Sequence, residues 1–459
     1  MESTIAAIST TVGESGIGIV RMSGKDSLSI AGKIFEGKKT KNLKDAENRK
    51  ITYGHIFDPT DGSLVDEVLI VFMKAPFTYT REDIVEIYCH GGIISVRKIL
   101  ELLLANGAVM AERGEFTKRA FLNGRLDLSQ AEAVIDIIKS KTELSCKLSL
   151  NQLEGGLSSE IKRIMDELTE MVAHVEVSID FPEEDFEEIT YDELELKSKK
   201  ILDEIDNLLN TSERGRILRE GLNVVILGKP NVGKSSLLNS MLRENRAIVT
   251  DIPGTTRDTI EEYMNIDGIP LKIVDTAGIR NTENIIEKIG VDKAKNLLET
   301  ADLTIAVFDS SKELEEDDYE IINMIKDKKG IALLNKMDLD SKLTMEDLKK
   351  LIPEMKIIPT IISQKIGIQD IENNIKDMFY GGKVKIKNDI MVTNIRHKKK
   401  LIDAKKNISD AYTGIISKVP LDCLEVDLKN CWTNLGEISG DTVTEDILDK
   451  IFSEFCVGK

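Results

Sequence analysis

The stretch Val224-Val225-Ile226-Leu227-Gly228-Lys229-Pro230-Asn231-Val232-Gly233-Lys234-Ser235 decides how the rest of the chain is read. Four apolar residues of strand character run into a loop bounded by two glycines, and Ser236–Leu242 continues with helical character. The glycines let backbone N–H groups converge on phosphate oxygens, and the start of the helix adds a favourable dipole. The spacing of Gly228, Gly233, Lys234 and Ser235 puts a lysine on the terminal phosphates and a hydroxyl on Mg2+. Asn231, Val232, Gly233 and Ser236 complete the expected nucleotide loop.

Three further motifs follow in order. Asp275-Thr276-Ala277-Gly278 comes after the apolar run Leu271–Val274, which places the Asp275 carboxylate at the C-terminal edge of a strand, where ligands of such sheets lie. Between it and the first loop, Thr250-Asp251-Ile252-Pro253-Gly254-Thr255-Thr256 is rich in small and polar residues able to order around a γ-phosphate. Thr256 is the expected second Mg2+ ligand. Asn335-Lys336-Met337-Asp338 follows Ile331–Leu334, and a carboxylate there accepts hydrogens from a guanine's N1 and exocyclic amine, a donor pair adenine lacks. The series resembles the translation-factor-related GTPase superfamily. The residue after Gly278, often a water-orienting glutamine there, is the apolar Ile279, so another group has to place the water. Glu287 in Ile286-Glu287-Lys288 is a candidate, and a solvated helix glutamate is the plainer reading of it.

Between about 221 and 380 the pattern of strand, glycine or aspartate turn and helix repeats, at Val224–Leu227, Leu271–Val274, Leu303–Phe308, Ile331–Leu334 and Ile357–Ile361. This predicts a parallel sheet wrapped by helices. Helical periodicity dominates 121–220 and 381–459, with Leu126, Ala131, Val134, Ile137 and Ile138 on one face, broken by a predicted loop at Asp180-Phe181-Pro182-Glu183-Glu184-Asp185. The two stretches read as one discontinuous helical domain into which the α/β domain is inserted. Residues 1–120 mix short alternating runs and glycine turns, and predict an α+β domain.

The chain has 459 residues, 41% of them hydrophobic, enough for two to four domains of about 100–200 residues. No run approaches the roughly 18 apolar residues of a membrane-spanning helix, and Met1-Glu2-Ser3-Thr4 does not open a secretory leader, so a cytoplasmic protein is expected. Cys89, Cys146, Cys423, Cys431 and Cys456 are widely spaced and read as reduced thiols. A net charge of −18 argues against a protein that coats nucleic acid non-specifically. One basic run stands out, from Lys383 to Lys406, and reads equally as a solvated helix face or an RNA-contacting surface.

The C-terminus Ile451-Phe452-Ser453-Glu454-Phe455-Cys456-Val457-Gly458-Lys459, together with Gly16-Ile17-Gly18-Ile19-Val20-Arg21, His90-Gly91-Gly92, Arg113-Gly114-Glu115-Phe116 and Ala120–Leu128, resembles the tRNA-modification GTPases called MnmE or TrmE over nearly the whole chain. The resemblance implies an N-terminal folate-binding domain, a discontinuous helical domain and an inserted GTPase domain of P-loop type. It implies a homodimer that joins a flavoprotein, MnmG (GidA), in a heterotetramer, and a tetrahydrofolate one-carbon unit entering carbon 5 of a tRNA wobble uridine. Carried over by position, Arg21, Glu86, Arg125 and Lys459 contact the folate. Asn231, Thr250, Ile252 and Thr255 hold a K+ ion in place of an arginine finger, and Glu287 is the catalytic glutamate. Ser15 stands where relatives commonly have Gly, and Ser363-Gln364-Lys365 differs from the usual Ser-Ala-Lys behind the guanine. The alternative from another class is an RNA-binding switch of the ribosome-assembly kind, against which the folate-type domain and Cys-Val-Gly-Lys tail speak.

Overall fold

The structure is a computed structural model that describes residues 3–38, 43, 47–180, 190–245, 262–273, 297–380 and 390–459. From the N-terminus come strands and helices β1 (Ile5–Ile8), β2 (Gly18–Ser23), α1 (Ser27–Ala31), β3 (Phe35–Gly37), β4 (Thr52–Phe57), β5 (Leu64–Met73), β6 (Ile84–Cys89), α2 (Ile93–Ala105), β7 (Val109–Met110) and α3 (Glu115–Leu122). Four helices follow, α4 (Leu128–Lys139), α5 (Glu143–Leu153), α6 (Gly156–Asp180) and α7 (Tyr191–Glu220). Next are β8 (Leu222–Leu227), α8 (Lys234–Asn245), β9 (Glu262–Ile266), β10 (Ile269–Ile273), β11 (Leu303–Asp309), α9 (Glu316–Ile325), β12 (Gly330–Asn335), α10 (Met345–Leu351), β13 (Lys356–Pro359) and α11 (Ile368–Tyr380). The chain ends in α12 (Ile395–Ile416), α13 (Leu421–Ser439) and α14 (Glu445–Ser453). It divides into two compact units, one of Met1–Ile135, Gln152–Lys197 and Asp410–Lys459, the other of Asp136–Asn151 and Ser198–Ser409.

In the first unit the sheet order is β3-β4-β5-β6-β2-β1-β7, antiparallel except for the β1–β7 pair. Strand alternation sorts its side chains into two faces. Val20, Met22, Val85 and Ile87 pack with Ile99 and Leu103 of α2 on one face. Ile5 and Ala7 pack with Ala111 and Phe116 on the other. The register sets Arg21 directly opposite Glu86 on that second face, since their strand neighbours Val20 and Ile87 share the first. Helix α6 buries Leu157, Ile161, Ile164, Leu168, Met171 and Val175, a stripe at three- and four-residue spacing, and α13 matches it with Leu424, Leu428, Cys431, Leu435 and Ile438. On α4 the buried apolar positions are Leu128, Ala131, Ala133 and Ile135, while Ile138 is 44% exposed. Of the predicted face, Ala131 is buried with Leu128, Ile135, Leu448, Phe452 and Phe455 and Val134 packs against that cluster, whereas Ile137 is half-buried and Ile138 exposed, so the face departs from the expectation at its C-terminal end.

The second unit holds a sheet of order β13-β12-β11-β8-β10-β9. The pairs β8–β10, β8–β11, β11–β12 and β12–β13 are parallel. Its central strand β11 is buried at all positions, as expected of a parallel strand covered on both faces. The expectation of a wholly parallel sheet needs one correction. Strand β9, which the sequence reading omitted, pairs antiparallel with β10. The turn between them is Asp267-Gly268, with φ of 48° and 89°, the left-handed pair that a two-residue hairpin requires. Strand β13 ends at Pro359, two residues before the expected Ile361, and Ile361 instead bridges to Ile366.

Candidate functional site

Strand β8 delivers the chain to the phosphate loop, and two glycines there have no substitute. Gly228 has φ 149°, and a Cβ on it would lie 2.5 Å from Val307 O. Gly233 has φ 115°, and a Cβ on it would meet Asn335 Nδ2 at 2.5 Å. Asn231 also takes a left-handed φ of 63°, turning the loop towards the first turn of α8, where Lys234 and Ser235 lie. Lys234 Nζ donates to the carbonyl oxygens of Gly228 and Lys229, both at 2.6 Å, so the ammonium folds back over its own loop. Burial pushes it down to about 8. Lys229 behaves oppositely. Burial lowers its pKa, but the hydrogen bonds to Asp318 and Glu315 outweigh this and hold the proton above the ordinary amine range.

The second piece of the site arrives on β12. Asn335 is 4% exposed, and its Nδ2 donates to Val232 O at 2.8 Å. Its Oδ1 accepts from Ile362 N at 3.1 Å and Thr360 Oγ1 at 3.3 Å. One amide thus joins the phosphate loop, the Asn-Lys-Met-Asp turn and the segment after β13. Lys336 has φ 64°, and its Nζ reaches Asp309 Oδ2 at the end of β11, 2.6 Å away. Asp338 is exposed, as is Met337 at 38%. Through the Asn335–Val232 bond the structure brings the segment Asn231, Val232, Gly233, Lys234, Ser235 and Ser236 beside the segment Asn335, Lys336, Met337 and Asp338. Thr250, Asp251, Ile252, Pro253, Gly254, Thr255, Thr256, Asp275, Thr276, Ala277, Gly278 and Glu287 lie outside the described residues. Asp309 was missed by sequence reasoning, and its position at the C-terminal end of a strand was the available signal.

A second cluster sits on the sheet of the first unit. Arg21 Nε bonds Glu86 Oε1 at 2.7 Å, with side chains 20% and 12% exposed. Tyr88 donates to Glu86 Oε2 at 2.6 Å, and burial, followed by that bond, pushes the Tyr88 phenol up to about 12. The Arg21 guanidinium lies 5.8 Å from the Phe116 ring, and the Arg125 guanidinium 4.7 Å from the Tyr79 ring. Burial raises the Tyr79 pKa, opposed by its hydrogen bond with Thr117 and by the charges of Arg125 and Arg21. The C-terminal tail approaches the same sheet. Ser9 Oγ donates to Gly458 O at 3.2 Å, Gly114 N to Cys456 O at 3.3 Å, and Arg113 bridges to Val457. Gly458 has φ 90°, and a Cβ on it would fall 2.2 Å from Ile8 O, so only glycine admits the tail to this position. Lys459 follows it, half-buried.

In the basic run, Lys383, Lys385 and Lys387 lie outside the described residues. On α12, Lys398 pairs with Glu213 at 3.6 Å and Lys405 with Asp206 at 2.6 Å. Among the described residues no helix is long and apolar enough to cross a membrane.

Comparisons with known proteins bear on both clusters. The sequence pattern described as the GTP-binding protein TrmE N-terminus matches residues 4–125, and that described as the MnmE helical domain matches 128–456. The tRNA modification GTPase MnmE of Alkaliphilus oremlandii (strain OhILAs) is 54% identical over 459 residues, covering 100% of both chains. The protein of the same name from Clostridioides difficile (strain 630) is also 54% identical over 459 residues, again with 100% of both chains covered. That of Bacillus velezensis is 51% identical over 457 residues, 99% of this chain and 100% of the relative. Solved structures similar to a part of this chain include the G domain of the FeoB iron transporter of T. maritima, 27% identical, with a TM-score of 0.26, covering 34% of this chain and 97% of that one. Two matched patterns that together span almost the whole sequence, and full-length relatives above half identity, place the chain in the MnmE family of tRNA modification GTPases.

Proposed function

We propose that this GTPase hydrolyses GTP in the slot between Lys234 and Asp338. With a flavoprotein partner of the MnmG (GidA) kind, it uses the turnover to modify the wobble uridine, position 34, of certain tRNAs. The product is carboxymethylaminomethyluridine or aminomethyluridine at carbon 5, built with a folate one-carbon unit. The observation that carries the reading is the 2.8 Å bond from Asn335 Nδ2 to Val232 O, because it fixes a base-reading turn to a phosphate-binding loop. In that slot Asp338 accepts from the guanine's N1 and amine, backbone N–H groups from Val232 to Ser236 take the phosphates, and Lys234 turns from its two carbonyls to the β- and γ-oxygens. Thr250–Thr256 and Asp275–Gly278 are assigned to the GTP site, Asp275 as a carboxylate that would hold Mg2+ through water, and Glu287 is assigned to orienting the attacking water.

The residues present suit the ions expected there. Ser235 and Thr256 offer the hard oxygens that Mg2+ takes, and the ion supplies charge neutralisation at the phosphates. Exposed Asn231, held at positive φ, presents an amide, and oxygens of Thr250, Ile252 and Thr255 would complete a set suited to K+. Potassium held there supplies the positive charge that an arginine finger brings in other GTPases. The paired Arg21 and Glu86, with Arg125 over Tyr79 and Lys459 on the tail, offer both a carboxylate for a heterocycle's N–H groups and cations for a folate's carboxylates. The domains assigned are 1–120 for folate, 121–220 with 381–459 as the helical domain, and 221–380 for GTP. The chain works as a homodimer within a heterotetramer.

Steady-state GTP hydrolysis in KCl and in NaCl at equal ionic strength tests the mechanism. Strong stimulation by K+, lost in Asn231→Ala, is the expected result. Equal slow rates in both salts refute the K+ mechanism.

A further inference from the structure

The end of β11 contains a carboxylate that the nucleotide motifs do not include. Asp309 has a side chain only 3% exposed, in a strand buried at all positions. One of its oxygens accepts from Ser311 N at 3.0 Å and Ser311 Oγ at 2.7 Å. The other accepts from Lys336 Nζ at 2.6 Å. Burial works to raise the Asp309 pKa, but the Lys336 and Ser311 donors outweigh it and hold the carboxyl below its ordinary value. It is therefore ionised across the working pH range, and the pair is a charge-assisted bond in a largely dry place. The next residue adds a second brace. Ser310 Oγ donates to Lys336 O at 2.9 Å, and Ser310 N to Asn335 O at 2.9 Å.

These bonds all hold one turn. Lys336 has φ 64°, a conformation that L side chains rarely adopt and that persists only where the surroundings determine it. The ammonium is tied to the end of β11, while the side chain as a whole remains 33% exposed. A stem held this way is an apolar wall beside Asp338, of the kind on which a purine face packs. Released, the same side chain has its rotamer freedom to lose on binding.

Resting on the assignment of GTP to this slot, we propose that Asp309 is a positioning residue for guanine-nucleotide binding. It acts through Lys336, by holding that side chain in the extended form that walls the base. It touches neither phosphate nor base edge. Its loss therefore raises KM without slowing the chemical step, and it affects GTP and ITP alike, since the two differ at the edge that Asp338 reads.

The test is a double-mutant cycle on the full chain with Asp309→Asn, Lys336→Met and the pair, measuring KM and kcat for GTP and ITP. Asp309→Asn is expected to raise KM for both nucleotides about tenfold with kcat within about twofold, and to add less than about twofold to KM in the Lys336→Met background. Ser311→Ala, which removes one brace and leaves Asp309 charged, gives a smaller rise of the same kind and serves should Asp309→Asn melt at the assay temperature. Full additivity of the two substitutions, an unchanged KM, or a loss confined to kcat would overturn the proposal. Absence of guanine-nucleotide turnover in the unsubstituted chain would instead remove the GTP assignment beneath it.

Discussion

Raising the pH from about 7.5 to about 8.7 is expected to weaken GDP binding by roughly four- to fivefold, because Lys234 meets the nucleotide with a loosened proton. In the nucleotide-free chain burial holds this ammonium down to about 8, and its Nζ is satisfied by two neutral carbonyls that supply no full counter-charge. A β-phosphate supplies that charge and returns the lysine to the ordinary amine range. The pKa of the free state is thus the lower of the two. Affinity is complete well below about 8 and declines as pH rises above it, towards one decade per unit until the bound value is reached. Proton uptake on binding follows the same curve, about a quarter of a proton at the lower pH and about four fifths at the higher. Calorimetric titration with GDP in two buffers of different ionisation enthalpy reads both quantities. Lys229 does not contribute, since Asp318 and Glu315 keep its proton above the ordinary range. Lys234→Ala removes the slope and leaves weak, pH-independent binding. A Kd that stays constant over this interval with no proton uptake would refute the reasoning, because it would mean that the buried amine is already fully charged before the phosphate arrives.

Gly233→Ala places a methyl 2.5 Å from Asn335 Nδ2 at a φ of 115°, so it either strains the loop or breaks the bond to Val232. At about 1–3 kcal/mol for such strain, GDP affinity falls roughly five- to 150-fold, read by the same titration. Arg21→Gln removes the 2.7 Å pair with Glu86 and leaves that carboxylate held by Tyr88 alone among the bonds described for it. Binding of a reduced folate, followed by fluorescence, is expected to weaken about tenfold with GTP hydrolysis unchanged, and equal folate affinity would take Arg21 out of the folate site.

The nucleotide loop was readable because its demands are local. Gly228 and Gly233 are needed for backbone conformations that few other residues take, so their spacing carries the chemistry without knowledge of the fold. The same physics marked the β9–β10 hairpin. Asp267-Gly268 is a strong two-residue turn signal, but Pro270 inside the second run and the brevity of Glu262–Ile266 made the pair resemble a single strand after a loop. What the sequence could not display was adjacency. Arg21 and Glu86 are 65 residues apart and meet only through the register of β2 against β6. On α4 the expected face held at Ala131 and Val134 and failed at Ile138, because Ile138 is as apolar as Ile135 and only the packing partners Leu448, Phe452 and Phe455 choose between them.

Asn335 joins these two kinds of information. As part of Asn-Lys-Met-Asp it is recognisable from spacing alone, yet its side chain spends its bonds on Val232, 103 residues earlier, and on Ile362, 27 residues later. That use also explains Gly233, because the amide occupies the space that any β-carbon there would need. The glycine of the first motif and the asparagine of the last are therefore one steric requirement written in two places. Lys336 and Asp309 extend the same logic one residue further, but only Lys336 belongs to a recognisable pattern. A motif records the side of a contact whose residue type cannot vary. Its partner, supplied by whichever strand the sheet order sets alongside, remains invisible until β11 and β12 are seen to be neighbours.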